Sequence, residues 1–245
     1  MRTIIDAHCH IGLYRGRKWS PQKLLNVMNE FKVNKAIIFP TGGHEPTNFI
    51  NENNTVISAV QKYPERLVGF ARVNPHFGDK AVEEIKRTVA LGLKGVKLHP
   101  MMEVFPANSR LVDPIMETAT KLRIPVLIHS GNAPFALPSQ VADIASRFPK
   151  VPVIMGHMGK IDLGIEAIPS AKRSENVFLE TSAARRFTIE DAVSALGPDR
   201  IVFGSDWPYS HPAPELMKIK ILGISEEHKM KILGENIQRI LKKSK

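Results

Sequence analysis

Short apolar runs rich in β-branched residues recur along the chain and predict eight strands. Gly or Pro bounds most of these runs, and stretches with helical spacing lie between them. The predicted strands are Thr3 to His8, Lys35 to Pro40, Leu67 to Asn74, Gly95 to His99, Pro125 to His129, Val151 to His157, Val177 to Thr181 and Arg200 to Ser205. The predicted helices include Pro21 to Phe31, Lys80 to Leu91, Leu111 to Leu122, Pro138 to Phe148 and Glu226 to Leu241.

This alternation of strand and helix predicts an α/β fold with parallel strands, because each helical connection returns the chain to the same end of the sheet. Eight such units in 245 residues predict a (β/α)8 TIM barrel that forms a single domain over residues 1–245. A doubly wound open sheet is the rival arrangement, although eight strands are many for it. The sequence G-x-G-x-x-G, which a dinucleotide-binding fold needs after its first strand, does not follow Thr3 to His8.

Polar residues with metal-binding chemistry cluster where the predicted strands end. The segment IDAHCH at residues 5–10 places His8 and His10 on the same face, since alternate strand residues point the same way. The other strand-end residues are Lys97, His99, His129, His157 and Asp206. A TIM barrel gathers such residues at the carboxyl ends of its strands, where barrel enzymes build their active sites. Several imidazoles and a carboxylate at that rim predict a site for Zn²⁺, Mn²⁺, Fe²⁺ or a similar ion.

Each of these residues also has a structural interpretation. A single strand-end histidine is more often a hydrogen-bonded structural residue, and Asp206 alone could cap a turn. Their recurrence at several strand ends favours one shared metal site over independent structural roles. The remaining histidines lack this position: His44 and His76 are expected at the surface, His211 could contact substrate, and His228 is expected to face solvent.

Composition bounds the class of protein and its partners. The chain is 43% hydrophobic and 24% charged, which is ordinary for a globular protein and excludes extensive disorder. It contains neither a membrane-spanning apolar run nor a signal-peptide core, so we expect no membrane association and a cytoplasmic location. The net charge of +10 suits an anionic small-molecule substrate; nucleic acid is not expected, because the densest basic segment is the C-terminal tail. A homo-oligomer remains open.

Several segments together resemble a known family. They are IIDAHCH at residues 4–10, KGVKLHP at 94–100, IMGHMG at 154–159, FLETS at 178–182, IVFGSDWP at 201–208 and ILGENI at 232–237. In combination they resemble the amidohydrolase superfamily, most closely amidohydrolase family 2, which includes aminocarboxymuconate-semialdehyde decarboxylase and related decarboxylases, lactonases and hydrolases. The resemblance spans nearly the whole chain.

The resemblance implies roles for the strand-end residues. It implies His8, His10, His129 and Asp206 as metal ligands, with His157 either a further ligand or a neighbouring acid or base. Asp206 and His157 would then be the catalytic pair.

The number of ions depends on the fourth predicted strand. Lys97 and His99 share strand parity, so both are candidates to bind substrate. In the binuclear branch of the superfamily, Lys97 would instead be carboxylated and bridge two ions. Family 2 implies a single divalent ion, for which Zn²⁺ is the first expectation.

The implied function is a metal-dependent hydrolase in which activated water attacks the carbonyl carbon of a small amide, ester or lactone. The alternative is a metal-dependent, non-oxidative decarboxylase of an unsaturated or aromatic carboxylic acid, with Arg185 and Arg186 as candidate carboxylate partners.

A third function, that of a TatD-like nuclease, is not favoured, because such an enzyme would carry a glutamate where Lys97 and His99 stand. A barrel that keeps its ligands without turnover is the non-enzymatic alternative. Substrate specificity would come from loop residues such as Tyr14, Arg15, Met101, Met102, Phe105 and Phe135.

Overall fold

A computed structural model describes residues 3–42 and 47–242. Its strands are β1 (Ile5–Tyr14), β2 (Arg17–Trp19), β3 (Lys35–Pro40), β4 (Leu67–Gly69), β5 (Ala71–Arg72), β6 (Val96–Leu98), β7 (Val126–His129), β8 (Val153–Gly156), β9 (Val177–Glu180) and β10 (Ile201–Val202). Its α-helices are α1 (Pro21–Glu30), α2 (Ile50–Lys62), α3 (Asp79–Ala90), α4 (Asp113–Leu122), α5 (Pro138–Arg147), α6 (Lys160–Lys172), α7 (Arg186–Leu196), α8 (Pro212–Lys220), α9 (Glu226–Met230) and α10 (Asn236–Lys242). Within these described ranges, every helix is too short or too polar to cross a membrane.

Hydrogen bonds join the strands into a closed barrel. Parallel pairing connects β1, β3 and β4, and it connects β5 through β10 in chain order. β4 and β5 are two halves of one barrel strand interrupted at Phe70. The N–H of Ala7 donates to the carbonyl of Phe203 at 3.0 Å, and that of His10 donates to the carbonyl of Trp207 at 2.7 Å. These two bonds close the last strand onto the first, so the predicted (β/α)8 TIM barrel is confirmed and the open sheet is wrong.

The first strand is longer than predicted. β1 continues past His10 to Tyr14 and turns back into the antiparallel β2. The two residues of the turn, Arg15 and Gly16, have φ values of 49° and 73°, which two-residue hairpins of the primed type require. Both histidines of the pair therefore lie inside a hydrogen-bonded strand rather than at its frayed end.

Alternation along the strands explains why functional side chains reach the barrel interior. In β7, Leu127 packs inside the barrel, whereas Val126 and Ile128 pack in the main core cluster beside helix residues. His129 shares the parity of Leu127 and therefore points inward above the apolar floor. Phe39 covers that floor, with its ring centroid 5.1 Å from that of His8 and 4.6 Å from that of His10.

The C-terminal helical stretch predicted over Glu226 to Leu241 is divided. α9 and α10 flank a π-helical segment, Lys231–Glu235. Gly234 lies there against the first barrel strand, where a Cβ would stand 2.1 Å from the carbonyl oxygen of Thr3. Close packing of this segment on the barrel explains why the sequence uses glycine at that position.

Candidate metal centre

A cavity of about 250 Å³ opens at the carboxyl ends of the barrel strands. It is lined by His10, Tyr14, Arg72, His99, Met102, His129, His157, Lys160, Asp206 and Tyr209. His8 and Lys97 are fully buried next to this lining. The structure therefore brings all seven predicted site residues to one end of the barrel.

Asp206 joins the two histidines of β1. Its Oδ1 atom lies 3.3 Å from Nε2 of His8 and 3.2 Å from Nε2 of His10. Donor atoms bound at about 2.1 Å to one ion lie roughly 3.0–3.4 Å apart, so the three atoms have the spacing of a shared metal ion. The backbone of Asp206 is left-handed, with φ of 59°, a strained conformation that clusters at functional sites.

Glu180 at the end of β9 fixes the orientation of His8. Its Oε2 atom lies 2.7 Å from Nδ1 of His8, so a proton on Nδ1 leaves Nε2 as the atom that can bind a metal. The backbone N–H groups of His157 and Ser182 also donate to this carboxylate, at 2.9 and 2.6 Å, and the Ser182 hydroxyl donates at 2.9 Å. Gly204 makes room for it, because a Cβ there would lie 2.3 Å from Oε1.

His8, His157 and Glu180 form a second group whose donor atoms are close enough to hold an ion. The Glu180 oxygens already accept the hydrogen bonds just described, which suits a supporting carboxylate better than a ligand. The group of His8, His10 and Asp206 has the carboxylate that faces the cavity, since the Asp206 side chain is 16% exposed.

The opposite side of the cavity is built from paired histidines. Nε2 of His157 lies 3.0 Å from Nδ1 of His129. The other ring nitrogens contact Oγ of Ser182 at 2.8 Å and Oδ1 of Asn132 at 2.7 Å. His99 stacks on His129, with ring centroids 3.8 Å apart and planes inclined by 14°. Hydrogen bonding and stacking thus hold these rings in fixed orientations.

Burial controls the charge of the site. It lowers the pKa of His10, and it lowers the pKa of His8, His129 and His157 still further. Neutral imidazole is the form that binds a metal ion, so the buried rings are in the required state at neutral pH.

Two other buried groups at the site have pKa values that burial shifts in favour of the neutral form. Burial lowers the pKa of Lys97 to about 7 and raises that of Glu180 to about 8. Nζ of Lys97 lies 3.2 Å from Nε2 of His8 and 4.8 Å from the ring centroid of Phe39. Lys97 therefore contacts His8 and does not line the cavity beside His99, so its predicted contact with substrate is not supported.

Comparison with known proteins identifies the family. The profile of the family described as Amidohydrolase matches residues 5–243. The chain belongs to this family. The resemblance inferred from the strand-end motifs is thereby confirmed.

Relatives of this chain include enzymes of two reaction types. Gamma-resorcylate decarboxylase from Polaromonas sp. (strain JS666 / ATCC BAA-500) is 26% identical over 247 residues, covering 78% of this chain and 74% of that protein. A 4-sulfomuconolactone hydrolase from Rhizobium radiobacter is 24% identical over 179 residues, covering 65% of this chain and 58% of that protein. The decarboxylase aligns with a larger share of this chain, and over a larger share of its own length, than the hydrolase does. This favours the decarboxylase alternative over the hydrolase that was the first expectation from the sequence.

A solved structure of similar fold supports the barrel architecture. The dihydroxybenzoic acid decarboxylase from Polaromonas sp. JS666, with bound manganese and the inhibitor 2-nitroresorcinol, superposes with a TM-score of 0.77. It is 19% identical and covers 99% of this chain and 97% of that chain.

Several candidates from the sequence lie outside the cavity lining. Arg185 and Arg186 are exposed at the start of α7, where Arg186 pairs with Glu190, so their expected contact with a substrate carboxylate is not supported. His211 is exposed at the start of α8 and packs against Phe31, which places it away from the lining. His76 is exposed and His228 half-buried, and His44 falls outside the described residues.

Two side chains at the site were not predicted from the sequence. Glu180 lies next to the end of a predicted strand, but only its contact with His8 places it at the site. Arg72 is a charged residue inside the apolar run Leu67 to Asn74, and it lines the cavity although it is fully buried. A charge within a buried strand is the signal that could have identified it.

Proposed function

We propose that this protein is a metal-dependent, non-oxidative decarboxylase of a small aromatic or unsaturated carboxylic acid. The observation that carries the proposal is the cavity, in which the group of His8, His10 and Asp206 faces room for one small ring. A volume of about 250 Å³ is below the roughly 300–1,000 Å³ of pockets for drug-sized ligands, which suits a single-ring acid. The decarboxylase relatives support the choice of reaction.

One divalent ion would be held by His8, His10 and Asp206. Imidazole and carboxylate donors suit Mn²⁺ or Zn²⁺, and manganese in the Polaromonas structure makes Mn²⁺ as good a candidate as Zn²⁺. When bound, the ion would act as a Lewis acid on substrate oxygen atoms. We favour one ion over two because His129 and His157 already use their ring nitrogens on each other and on neighbouring side chains.

On the strength of those contacts we propose that His129 and His157 lie on the substrate side, although the sequence predicted His129 as a ligand and His157 as either a further ligand or a neighbouring acid or base. His157 is neutral at neutral pH because burial lowers the pKa of its imidazole. It therefore suits an orienting role through hydrogen bonds better than the role of proton donor.

Asp206 is the proposed proton-transfer residue. Its Oδ1 atom faces the two imidazoles of β1, which leaves Oδ2 to carry a proton into the cavity. The carboxyl group donates this proton to the substrate carbon that bears the carboxylate. The bond between the two carbons then breaks, its electron pair returns to the ring, CO₂ leaves, and water restores the proton to Asp206. A positioned acid of this kind contributes about 10²–10⁴ in rate.

Hydrolysis is the second candidate, favoured by the relative that is a lactone hydrolase. In that reaction Asp206 would accept a proton from the attacking water instead of donating one to carbon. Both candidates use the same residues, so only the products separate them.

The test is a substrate panel with the Mn²⁺- or Zn²⁺-loaded protein. Dihydroxybenzoates and hydroxyisophthalates are offered in parallel with lactones and aryl esters, and CO₂ and the remaining products are quantified. We expect CO₂ from at least one aromatic acid, loss of this activity after chelation, and recovery when the ion is returned. Cleavage of a lactone or ester without CO₂ from any acid would establish the hydrolase instead.

A further inference from the structure

Arg72 is an unusual component of the cavity wall. It is the largest fully buried side chain among the described residues, yet it lines the cavity. One guanidinium nitrogen, Nη2, donates to Oε1 of Glu103 at 2.5 Å and lies 3.4 Å from Sδ of Met102, a weak acceptor. Nη1 donates to the carbonyl of Pro40 at 3.4 Å. Nε is buried without a hydrogen-bond partner among the described residues. A buried guanidinium with an unmet donor has unused capacity for an acceptor.

The surrounding chain keeps space for this guanidinium. A Cβ on Gly42 would lie 1.9 Å from Nη1 and 2.2 Å from Cζ of Arg72, so only glycine at that position admits the group. The carbonyl of Pro40, which accepts from Nη1, also lies 3.3 Å from Nδ1 of His10. Arg72 is therefore a neighbour of the candidate metal ligands and is fixed relative to them.

The charges on the wall match an anionic ligand. Among the described residues that line the cavity, Arg72 and Lys160 are the cations and Asp206 is the acid. Glu103, behind the wall, offsets part of the charge of Arg72. A planar guanidinium with several donors fits the two oxygens of a carboxylate better than an ammonium does.

We propose that Arg72 binds a second carboxylate of the substrate, so that the preferred substrates are dicarboxylic acids with a single ring. This inference rests on the proposed function, because it specifies the substrate class of the same site. The carboxylate that leaves becomes neutral CO₂, so an ion pair to it would be stronger in the ground state than in the transition state. Arg72 is better used on a carboxylate that keeps its charge throughout the reaction.

Equilibrium binding tests this role without turnover. Isophthalate and benzoate, which lack the ring hydroxyl groups of the relative's substrate, are titrated by calorimetry into the metal-loaded protein. One charge-assisted contact predicts that isophthalate binds roughly 10–100-fold more tightly than benzoate. The Arg72→Met variant should reduce this ratio to within about twofold, and Arg72→Lys should give an intermediate ratio. The matched control Arg185→Met, which removes an exposed arginine, should leave the ratio unchanged.

Arg72→Met leaves Glu103 buried without its partner and could therefore destabilise the fold. Two further variants test the role of Arg72 without leaving this unpaired charge. The double variant Arg72→Met with Glu103→Gln removes both charges together. Gly42→Ala keeps both charges but displaces the guanidinium through its Cβ. Both are expected to lose the preference for isophthalate, with thermal melting used to verify that each variant is folded.

The outcomes separate this inference from the proposed function. Equal binding of isophthalate and benzoate to the parent, or a preference that survives in the folded double variant and in Gly42→Ala, would overturn the role of Arg72. CO₂ release from monocarboxylic acids without any such preference would overturn it as well and leave the decarboxylase standing. A preference that depends on Arg72, without CO₂ release from any acid, would support the carboxylate site and reject the decarboxylase.

Discussion

The two sides of the cavity use histidine in different ways. On one side, Nε2 atoms of His8 and His10 converge on one carboxylate oxygen of Asp206. On the other side, His129 and His157 bond to each other and to neighbouring side chains. In the first arrangement Nε2 atoms of two rings share one carboxylate oxygen, with Nζ of Lys97 also 3.2 Å from Nε2 of His8; in the second the ring nitrogens are directed at each other, at Ser182 and at Asn132. Residue type alone therefore does not define a metal ligand; the partner of each ring nitrogen does.

The largest predicted effect comes from removing the converging histidines. The double variant His8→Ala with His10→Ala removes two of three proposed donors, so we expect it to lose the ion and CO₂ release to fall below detection. Metal content is measured by elemental analysis of protein purified without added metal. The control is His76→Ala with His211→Ala, which removes two exposed histidines and should keep the ion. Equal metal content in both double variants would contradict the assignment.

The second prediction concerns Asp206. Asp206→Asn keeps the size of the side chain but removes the proton-transfer group, so the rate of CO₂ release should fall by about 10²–10⁴. The exposed Asp191→Asn on α7 is the matched control and should retain the parent rate. A variant that binds the ion yet reacts within threefold of the parent would show that another residue carries the proton.

The third prediction concerns the carboxylate behind His8. Glu180→Gln replaces an oxygen acceptor that fixes the His8 ring, and loss of such a supporting contact typically weakens metal binding by about 10–100-fold. Titration of the apoprotein with Mn²⁺ measures the change, with the exposed Glu175→Gln as control. Complete loss of the ion in a folded Glu180→Gln protein would instead make Glu180 a ligand.

Much of the site was predictable from the sequence, because residues at strand ends meet at one end of a barrel and alternate residues of a strand point the same way. Alternation of short apolar runs with helical stretches predicted the barrel, and the strand-end positions of His129, His157 and Asp206 predicted their convergence. The partners of these side chains were not predictable, because they depend on barrel closure. His8 and Glu180 are 172 positions apart and meet only when β9 lies close to β1.

The local sequence also did not show which of the basic residues reach the cavity. Arg185 and Arg186 follow a strand end, as active-site residues do, but α7 begins there and carries both to the surface. Arg72 lies within a strand and reaches the cavity because Gly42 leaves space for its guanidinium. The position of a residue along the chain predicts whether it lies at the carboxyl end of the barrel. The space around its side chain decides whether that side chain reaches the cavity.

The smallest predicted effect is on the hydrogen-bonded side. His157→Gln removes an imidazole whose contacts are with Ser182 and His129. We expect the ion to be retained and the rate of CO₂ release to fall by about 10-fold, the effect of roughly one hydrogen bond. Metal titration and rate measurement on the same sample test both parts. Loss of the ion as complete as in the His8 and His10 double variant would remove the distinction between the two sides.

The fate of the proton at the carbon that loses the carboxylate distinguishes decarboxylation from hydrolysis. An aromatic acid carrying ¹³C in its carboxyl group is incubated with the metal-loaded protein in D₂O, and the gas and the remaining arene are analysed by mass spectrometry and NMR. We expect one labelled CO₂ for each arene formed and one deuterium at the carbon that lost the carboxylate. Turnover of lactones or esters while the labelled acid remains intact would contradict this prediction.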